Sequence, residues 1–163
     1  MRLMLFLIVL SVLFLPSCHS SRKAKAELVW VKKSNSKQDE MVAYAQKYLG
    51  TPYKYAGKDP RAFDCSGFTS YVFSAFDLRL SATADGQSRQ GREISPDRVR
   101  AGDLVFFKRP RNRQIFHVSL VVSNTSEGIT VIHSTTSRGV IMENISQSSY
   151  WKPFLYKARR FLD

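Results

Sequence analysis

Cys65, in the segment FDCSGF (63–68), has the residue type and setting of a nucleophile. Asp64 is a favourable N-cap, so the sequence predicts that Cys65 lies in the first turn of a helix. The free backbone N–H groups and the helix dipole at that position would stabilise a thiolate and lower the pKa of the thiol. Gly67 would keep the approach to the sulfur open. Cys65 is therefore a candidate nucleophile, with a buried structural thiol as the alternative.

Two histidines lie in segments that could carry them to Cys65. His117 is in FHVSLVVS (116–123), where strand alternation puts it on the face opposite Val118 and Leu120. His133 ends the next apolar segment, GITVIHS (128–134). Adjacent antiparallel strands would bring the two imidazoles together, so that one deprotonates the thiol and the other orients the first.

Spacing alone leaves three interpretations of Cys65, His117 and His133 open. They could form a nucleophile with its base and an orienting group. They could also be three zinc ligands with one open coordination position. Each of them could instead be a buried structural residue, which is the commoner situation for a cysteine in an apolar helix or a histidine in a strand.

The N-terminus predicts export and lipidation. Arg2 is followed by a nearly unbroken apolar run from Leu3 to Leu15. The run is shorter than the roughly 20 residues of a membrane-spanning helix and fits the apolar region of a secretory signal. It ends in LPSC (15–18), which resembles a bacterial lipobox, and cleavage there would leave Cys18 as the lipidated first residue. An uncleaved anchor, or an ordinary signal with a chance cysteine, is the alternative.

These features divide the chain into a signal peptide (1–17), a lipidated cysteine with a tether (18–37) and one domain (38–163). Trp30, between two valines, could extend the domain as a short strand. His19 after the cysteine, rather than Asp, favours the outer membrane, so we expect a lipid-anchored protein of the bacterial cell envelope that faces the periplasm. With Cys18 lipidated, Cys65 would have no disulfide partner in the chain.

The charge of the chain indicates an anionic partner. Lys and Arg outnumber Asp and Glu to give a formal net charge of +12. The basic residues are spread along the sequence without a nucleic-acid-binding motif. We therefore expect envelope polyanions, and not nucleic acid, as partners of a monomeric protein.

The periodicity changes along the chain from helical to extended. Helices are predicted at about 38–49, ending before Gly50, at 65–77 with Phe68, Val72, Ala75 and Phe76 on one face, and at 82–90. Five strands are predicted at 103–107, 116–123, 128–134, 139–145 and 155–162. This order predicts an α+β fold in which N-terminal helices pack on an antiparallel sheet of about five strands.

Five segments, in this order, resemble the NlpC-type cysteine peptidases of bacterial cell walls. They are LGTPYKYAG (49–57), DCSGFTSYVF (64–73), RAGDLVFF (100–107), HVSLVVSN (117–124) and VIHSTTSRGV (131–140). The resemblance implies a papain-like fold that needs no metal or other cofactor. It implies that Cys65 is the nucleophile, His117 the general base and His133 the polar residue that orients the base.

The same resemblance suggests a substrate and the residues that contact it. Tyr53 matches a tyrosine close to the nucleophile, Asp64 a residue near the pocket for the free amino end of the substrate, and Ser66 falls beside it. The implied activity is hydrolysis of peptidoglycan stem peptides, typically between γ-D-glutamate and a diamino acid. A lipid-anchored wall-binding protein that no longer cuts, or a related papain-like amidase or acyltransferase, is the alternative.

The chain departs from the family pattern at two places. YAG (55–57) stands where two glycines are usual, and Ser119 stands where a glycine is common. Because small residues replace small residues, we expect a narrower cleft and no loss of activity.

Overall fold

The computed structural model describes residues 36–111 and 114–163. The predicted signal peptide, Cys18, Trp30 and the tether up to residue 35 lie outside these residues, so the predictions about them stay predictions. Within the described ranges, no helix combines the length and the hydropathy needed to cross a membrane.

An antiparallel sheet organises the described part of the chain. Its strands are β3 (Arg92–Ile94), β4 (Leu104–Lys108), β5 (Ile115–Thr125), β6 (Gly128–Thr135), β7 (Gly139–Asn144) and β8 (Leu155–Arg160). They are ordered β3–β8–β4–β5–β6–β7, and every neighbouring pair is antiparallel. Two earlier short strands, β1 (Lys58–Asp59) and β2 (Ala62–Phe63), pair with each other.

The described residues form three α-helices, all before the long strands. They are α1 (Lys37–Gln46), α2 (Cys65–Ser74) and α3 (Ala84–Gln87). Short 3₁₀ turns occur at Pro96–Arg98 and Lys152–Phe154. Side-chain caps begin the helices: the hydroxyl of Ser36 accepts the backbone N–H of Asp39 at α1. At α2 the carboxylate of Asp64 accepts that of Gly67.

The predicted α+β order is found, with differences at the ends of elements. All five predicted strands are present, and β1, β2 and β3 were missed because each has only two or three residues. Helix α2 ends at Ser74 and not at residue 77. Ala75, predicted on the buried face, is exposed, whereas Phe73, which was not predicted there, is buried. The predicted helix at 82–90 is confined to Ala84–Gln87. Gly50 has a φ of +82° but follows a turn, and the residue that caps α1 is Lys47.

Apolar side chains fill both faces of the sheet. On the helical face, α1 and α2 pack on the strands through buried residues that include Met41, Phe68, Phe73, Phe106 and Ile132. A second cluster includes Val105, Phe107, Val131, Ile145 and Trp151. Full burial of one such side chain contributes roughly 1.5–3 kcal/mol, so these contacts hold β5 and β6 firmly in the middle of the domain.

The segment before Tyr53 is fixed to β7. The backbone N–H of Gly50 donates to the carbonyl of Val140, and the N–H of Val140 donates to the carbonyl of Thr51, each at 2.9 Å. Gly139, with a φ of +65°, lies so close to that carbonyl of Thr51 that a Cβ atom would clash with it. The sheet edge thereby places Tyr53 beside the start of α2.

Gly67 has a different role from the predicted one. A Cβ atom at Gly67 would clash with the backbone carbonyl of Gly57. That same carbonyl accepts the backbone N–H of Asp64 at 2.9 Å. The glycine therefore permits the loop before β1 to pack directly on the first turn of α2, and it sets the position of Cys65 from behind.

Candidate active site

Cys65 is the first residue of α2 and is half-buried. The carboxylate of Asp64 accepts the backbone N–H of Gly67 at 2.6 Å and so fixes the first turn of the helix. Cys65 makes no disulfide with any described residue. The predicted position at a capped helix N-terminus is therefore found.

The pKa of the Cys65 thiol is raised to about 11, chiefly by burial and secondly by the negative charge of Asp64. Backbone hydrogen bonds involving Val118, Ser66 and Cys65 itself act in the opposite direction and do not cancel this rise. The predicted lowering of the thiol pKa is thus wrong in sign. The helix N-terminus acts in the expected direction, but the loss of water around a thiolate outweighs it.

His117 and His133 come together across β5 and β6. His117 Nε2 lies 2.9 Å from His133 Nδ1, and both side chains are buried. Ser119, two residues after His117 and thus on the same face of β5, places its hydroxyl 2.9 Å from the same Nδ1 atom. Burial lowers the pKa of both histidines, that of His117 well below its usual 6.5, so both imidazoles are neutral at neutral pH.

Glu143 on β7 forms the next contact in this chain of side chains. Its Oε1 lies 2.8 Å from His133 Nε2 and accepts from Arg138 and from the indole N–H of Trp151, each at 2.9 Å. These hydrogen bonds, led by the one with His133, lower the pKa of Glu143 to about 2 although burial opposes them. Glu143 is therefore ionised, and its charge lies at the far end of the histidine pair.

The ring of Trp151 covers both histidines. It stacks on the imidazole of His117 with ring centres 4.5 Å apart and planes inclined by 29°. It also lies 5.1 Å from the ring of His133. Because the indole N–H is bonded to Glu143, the tryptophan is fixed in the position that covers them.

Two cavities meet at Cys65. One, of about 450 Å³, is lined by Cys65, His117 and Tyr53 and extends to Arg109, Phe116, the turn at residues 134–138, Glu143, Ser148, Tyr150 and Trp151. The other, of about 510 Å³, is lined by Tyr53, Cys65, Asp64 and Ser66 and by Tyr55, Ala56, Lys58, residues 82–85 and residues 114–116. Cys65 thus lies between two halves of one cleft, with His117 on one side.

A family model described as "NlpC/P60 family" matches residues 50–160. The chain belongs to the NlpC/P60 family. Its relatives in this family include probable endopeptidases.

Known NlpC/P60 relatives agree in sequence and in structure. The chain is 34% identical over 139 residues to the gamma-DL-glutamyl hydrolase of Bacillus subtilis (strain 168). The matched region covers 83% of this chain and 32% of that protein. It is 36% identical over 116 residues to the "Probable endopeptidase NlpC" of Escherichia coli (strain K12), which covers 71% of this chain and 72% of that protein.

A solved NlpC/P60 family structure from Bacillus cereus ATCC 10987 matches with a TM-score of 0.71 at 26% identity. The match covers 78% of this chain and 41% of that protein. The predicted papain-like α+β fold is thereby confirmed. The chain spans about a third of the length of the Bacillus subtilis hydrolase.

The three predicted substrate-binding residues all lie near Cys65, but they differ in how far they are engaged in hydrogen bonds within the protein. Tyr53 lines both cavities, and burial together with the neighbouring Cys65 raises the pKa of its phenol. Asp64 lines the second cavity, but its Oδ1 also accepts from Gly67 and Ser66. Ser66 is buried, with its hydroxyl bonded to Asp64 and to the carbonyl of Ala82. These contacts connect the first turn of α2 to the loop that contains Ala82, so Ser66 has a structural role there.

The two departures from the family pattern have separate effects. Ala56 has a φ of +56°, a conformation that favours glycine, and lines the second cavity. Ser119 is fully buried and lines neither cavity. The expectation that it narrows the cleft is therefore wrong. Its hydroxyl contacts His133 instead.

The arrangement does not resemble a metal site. No group of three or more His, Cys, Asp or Glu side chains in residues 36–111 and 114–163 is placed to hold a metal ion. Both ring nitrogens of His133 are already in hydrogen bonds, with His117 and Ser119 on one side and Glu143 on the other. The geometry favours proton transfer over zinc ligation.

Sequence reasoning missed Glu143 and Trp151. His133 is directly opposite Ile141 in the β6–β7 pair, so Glu143, two residues later, lies diagonally opposite on the same face. A β6–β7 register drawn from the sequence would have revealed this carboxylate. Trp151 follows β7 in a loop, and no periodicity in the sequence indicates where its ring lies.

Proposed function

We propose that this chain is a cysteine endopeptidase that cleaves peptidoglycan stem peptides at the bond between γ-D-glutamate and the following diamino acid. The observation that carries the proposal is that Cys65, at a helix N-terminus, shares a cavity with His117, whose Nε2 is already bonded to His133. A nucleophile, a base and an orienting group are the parts that acyl transfer needs.

In the proposed reaction, His117 takes the proton of Cys65 as the sulfur attacks the amide carbonyl carbon. The Cys65 backbone N–H and the Tyr53 hydroxyl stabilise the resulting oxyanion. His117 then gives the proton to the leaving amine, and the C–N bond breaks to leave a thioester on Cys65. Water, deprotonated by His117, attacks the thioester and releases the acid and the free thiol.

The pKa values support a neutral resting pair. With the thiol pKa raised to about 11 and the pKa of His117 lowered by burial, a thiolate–imidazolium pair is not the resting form at neutral pH. Proton transfer therefore accompanies the attack on the substrate. The backbone N–H groups around the sulfur stabilise charge when it forms.

The charges of the two cavities support an orientation for the peptide. Asp64 and Asp85 line one cavity, together with the exposed Lys58, and the charge of Asp85 is partly balanced by Arg89. Arg109 and Arg138 line the other, where the charge of Arg138 is partly balanced by Glu143. We infer that an amino group of the substrate lies on the Asp64 side and that the carboxylates of the diamino acid lie on the Arg109 side.

We also propose that Cys18 carries the lipid that tethers the domain in the envelope, on the outer membrane facing the periplasm. The lipobox-like LPSC segment supports this (15–18). Cys18→Ala should lose fatty-acid labelling and should either stay uncleaved at the lipobox or leave the detergent phase in a Triton X-114 partition, whereas Cys65→Ala should be labelled, cleaved and partitioned like the parent. A Cys18→Ala variant that still labels and partitions like the parent would contradict the lipid anchor.

A digest of purified peptidoglycan, read by mass spectrometry, tests the proposed bond. Wild-type protein should release fragments that begin at the diamino acid, and Cys65→Ala should release none. Products cut at another envelope amide would favour the amidase alternative, and transfer of an acyl group to an added amine would favour the acyltransferase. Binding to peptidoglycan without any product would favour a wall-binding protein.

A further inference from the structure

The acidic end of the histidine pair has a function that the peptidase resemblance does not assign. Glu143 belongs to β7, lies beyond the two histidines and is bonded to His133 through Oε1. Its side chain is 20% exposed, and its other two partners are Arg138 and Trp151. All three bonds converge on the same oxygen atom.

The contacts determine which nitrogen of each histidine carries hydrogen. An ionised carboxylate only accepts hydrogen bonds, so His133 Nε2 must be the protonated nitrogen of that ring. A neutral His133 then has a lone pair at Nδ1, which accepts from its neighbours. His117 Nε2 lies 2.9 Å from that Nδ1 and must therefore carry a hydrogen atom too. The remaining lone pair of His117 is at Nδ1.

We propose that Glu143 is a positioning residue: it fixes His133 as the Nε2–H tautomer, and through it fixes His117 as the Nε2–H tautomer, so that His117 Nδ1 is the atom that accepts the Cys65 proton. This rests on the proposed function for its last step, and on the hydrogen bonds of the folded chain for the others. The hydroxyl of Ser119, 2.9 Å from the same His133 Nδ1, shares that lone pair as a second donor and so also favours an Nδ1 without hydrogen.

The alternative state shows why the carboxylate matters. Without an acceptor at Nε2, His133 can place its hydrogen on Nδ1 and donate to His117 Nε2. His117 would then carry its hydrogen on Nδ1 and have no lone pair there for the thiol. Reversal of the two tautomers therefore removes the base without moving either ring.

Arg138 and Trp151 keep Glu143 in the required form. The guanidinium and the indole N–H both donate to Oε1, and both hydrogen bonds favour the ionised carboxylate. The stacked indole also holds the ring of His117. Arg138 lines the cavity of the cleft, so the same residue faces substrate and supports Glu143.

Nitrogen NMR of the full chain in detergent micelles, with ¹⁵N-labelled histidine, tests the tautomers directly. The background variant His19→Gln removes the third histidine, which leaves the signals of His117 and His133. At neutral pH both should show a protonated Nε2 and an unprotonated Nδ1. Glu143→Ala should shift both rings towards the Nδ1–H form, and Glu143→Gln, which keeps an acceptor oxygen, should shift them less. The exposed Glu127 provides the matched control, Glu127→Gln, which should change nothing.

Kinetics on a stem peptide supply the second measurement. Glu143→Ala should lower kcat by about 10-fold or more, and Glu143→Gln should retain more activity. If the tautomers are unchanged in both Glu143 variants, Glu143 does not position the histidines, whatever the variants' activity. This includes the case in which activity falls only because less of the variant protein is folded. If wild-type protein cleaves no stem peptide, the proposed function fails, and the NMR result still decides the tautomers.

Discussion

His117 Nε2 lies 2.9 Å from His133 Nδ1, and the two imidazole planes are inclined by 75°. This contact joins β5 to β6 and uses one of the two nitrogens of His117. The same histidine lies under Trp151 and beside Phe107 of β4. The sheet therefore fixes the orientation of His117 before any substrate binds. Its Nδ1 is the ring nitrogen that is left to accept a proton from Cys65.

Alkylation of Cys65 should be slow near pH 6 and should accelerate as the pH rises. With a thiol pKa of about 11, the thiolate fraction grows about tenfold per pH unit from pH 7 to 10. The measurement is the rate of modification by iodoacetamide, followed by mass spectrometry, with an unstructured cysteine peptide as the reference. A rate that is fast and constant below pH 7 would show a resting thiolate–imidazolium pair instead.

The stability of the domain should fall on acidification, first through the two histidines and at lower pH through Glu143 as well. Burial lowers the pKa of His117 and His133, so the unfolded chain binds more protons below about pH 6.5 and stability falls there with falling pH. Glu143, with a pKa lowered to about 2, contributes stability above its ordinary 4.5 that is lost as the pH falls from 4.5 to about 2.

Thermal melts between pH 3 and 8 measure both contributions. His117→Gln and His133→Gln should flatten the part that begins below about pH 6.5, and Glu143→Gln should make the part below 4.5 less steep. Glu127→Gln serves as the control and should preserve the wild-type slope. A melting temperature that is the same at pH 5 and pH 7 in wild-type protein would show that the histidines are not buried in neutral form.

Arg109→Ala should raise KM for a stem peptide whose diamino acid has free carboxylates. Loss of an exposed charge pair predicts an increase of about threefold, with little change in kcat. The effect should be smaller for a substrate whose carboxylates are amidated. Arg79→Ala, at an exposed arginine outside both cavities, is the control. Equal KM values for Arg109→Ala and Arg79→Ala would place the carboxylates elsewhere.

Replacements of His133 should differ in their effects on activity. Asparagine or glutamine can still present a polar group to His117, so His133→Asn and His133→Gln should retain more activity than His133→Ala. The measurement is kcat on a purified tripeptide stem, with thermal melts to check folding. Equal and complete loss in all three folded variants would mean that a second imidazole is indispensable.

The positions of the reactive residues could be predicted because they depend on local patterns. Asp64 caps α2 through its own side chain, and strand alternation put His117 on the correct face. The proximity of His133 followed from antiparallel pairing of consecutive strands. These are relations between near neighbours in sequence, which a pattern of residue types can express.

The remaining features depend on packing between distant segments. The thiol pKa depends on burial, which a helix N-terminus alone does not determine. The roles of Gly67 and Ser119 follow from contacts with Gly57 and His133, respectively. The place of Trp151 over the histidines is set by a loop without periodicity. Each of these features is set by a tertiary contact, and the local sequence pattern gives no information about such contacts.

The initial rate at which a purified tripeptide or tetrapeptide stem releases its diamino-acid-containing fragment tests the central claim most directly. Wild-type protein should cleave the peptide, and Cys65→Ala should show no turnover. His117→Ala, which removes the base, should lose about 10²–10⁴-fold in rate while it stays folded in a thermal melt. Wild-type rates for a folded His117→Ala or Cys65→Ala variant would contradict the mechanism, and the absence of any cleavage by wild-type protein would contradict the proposed activity.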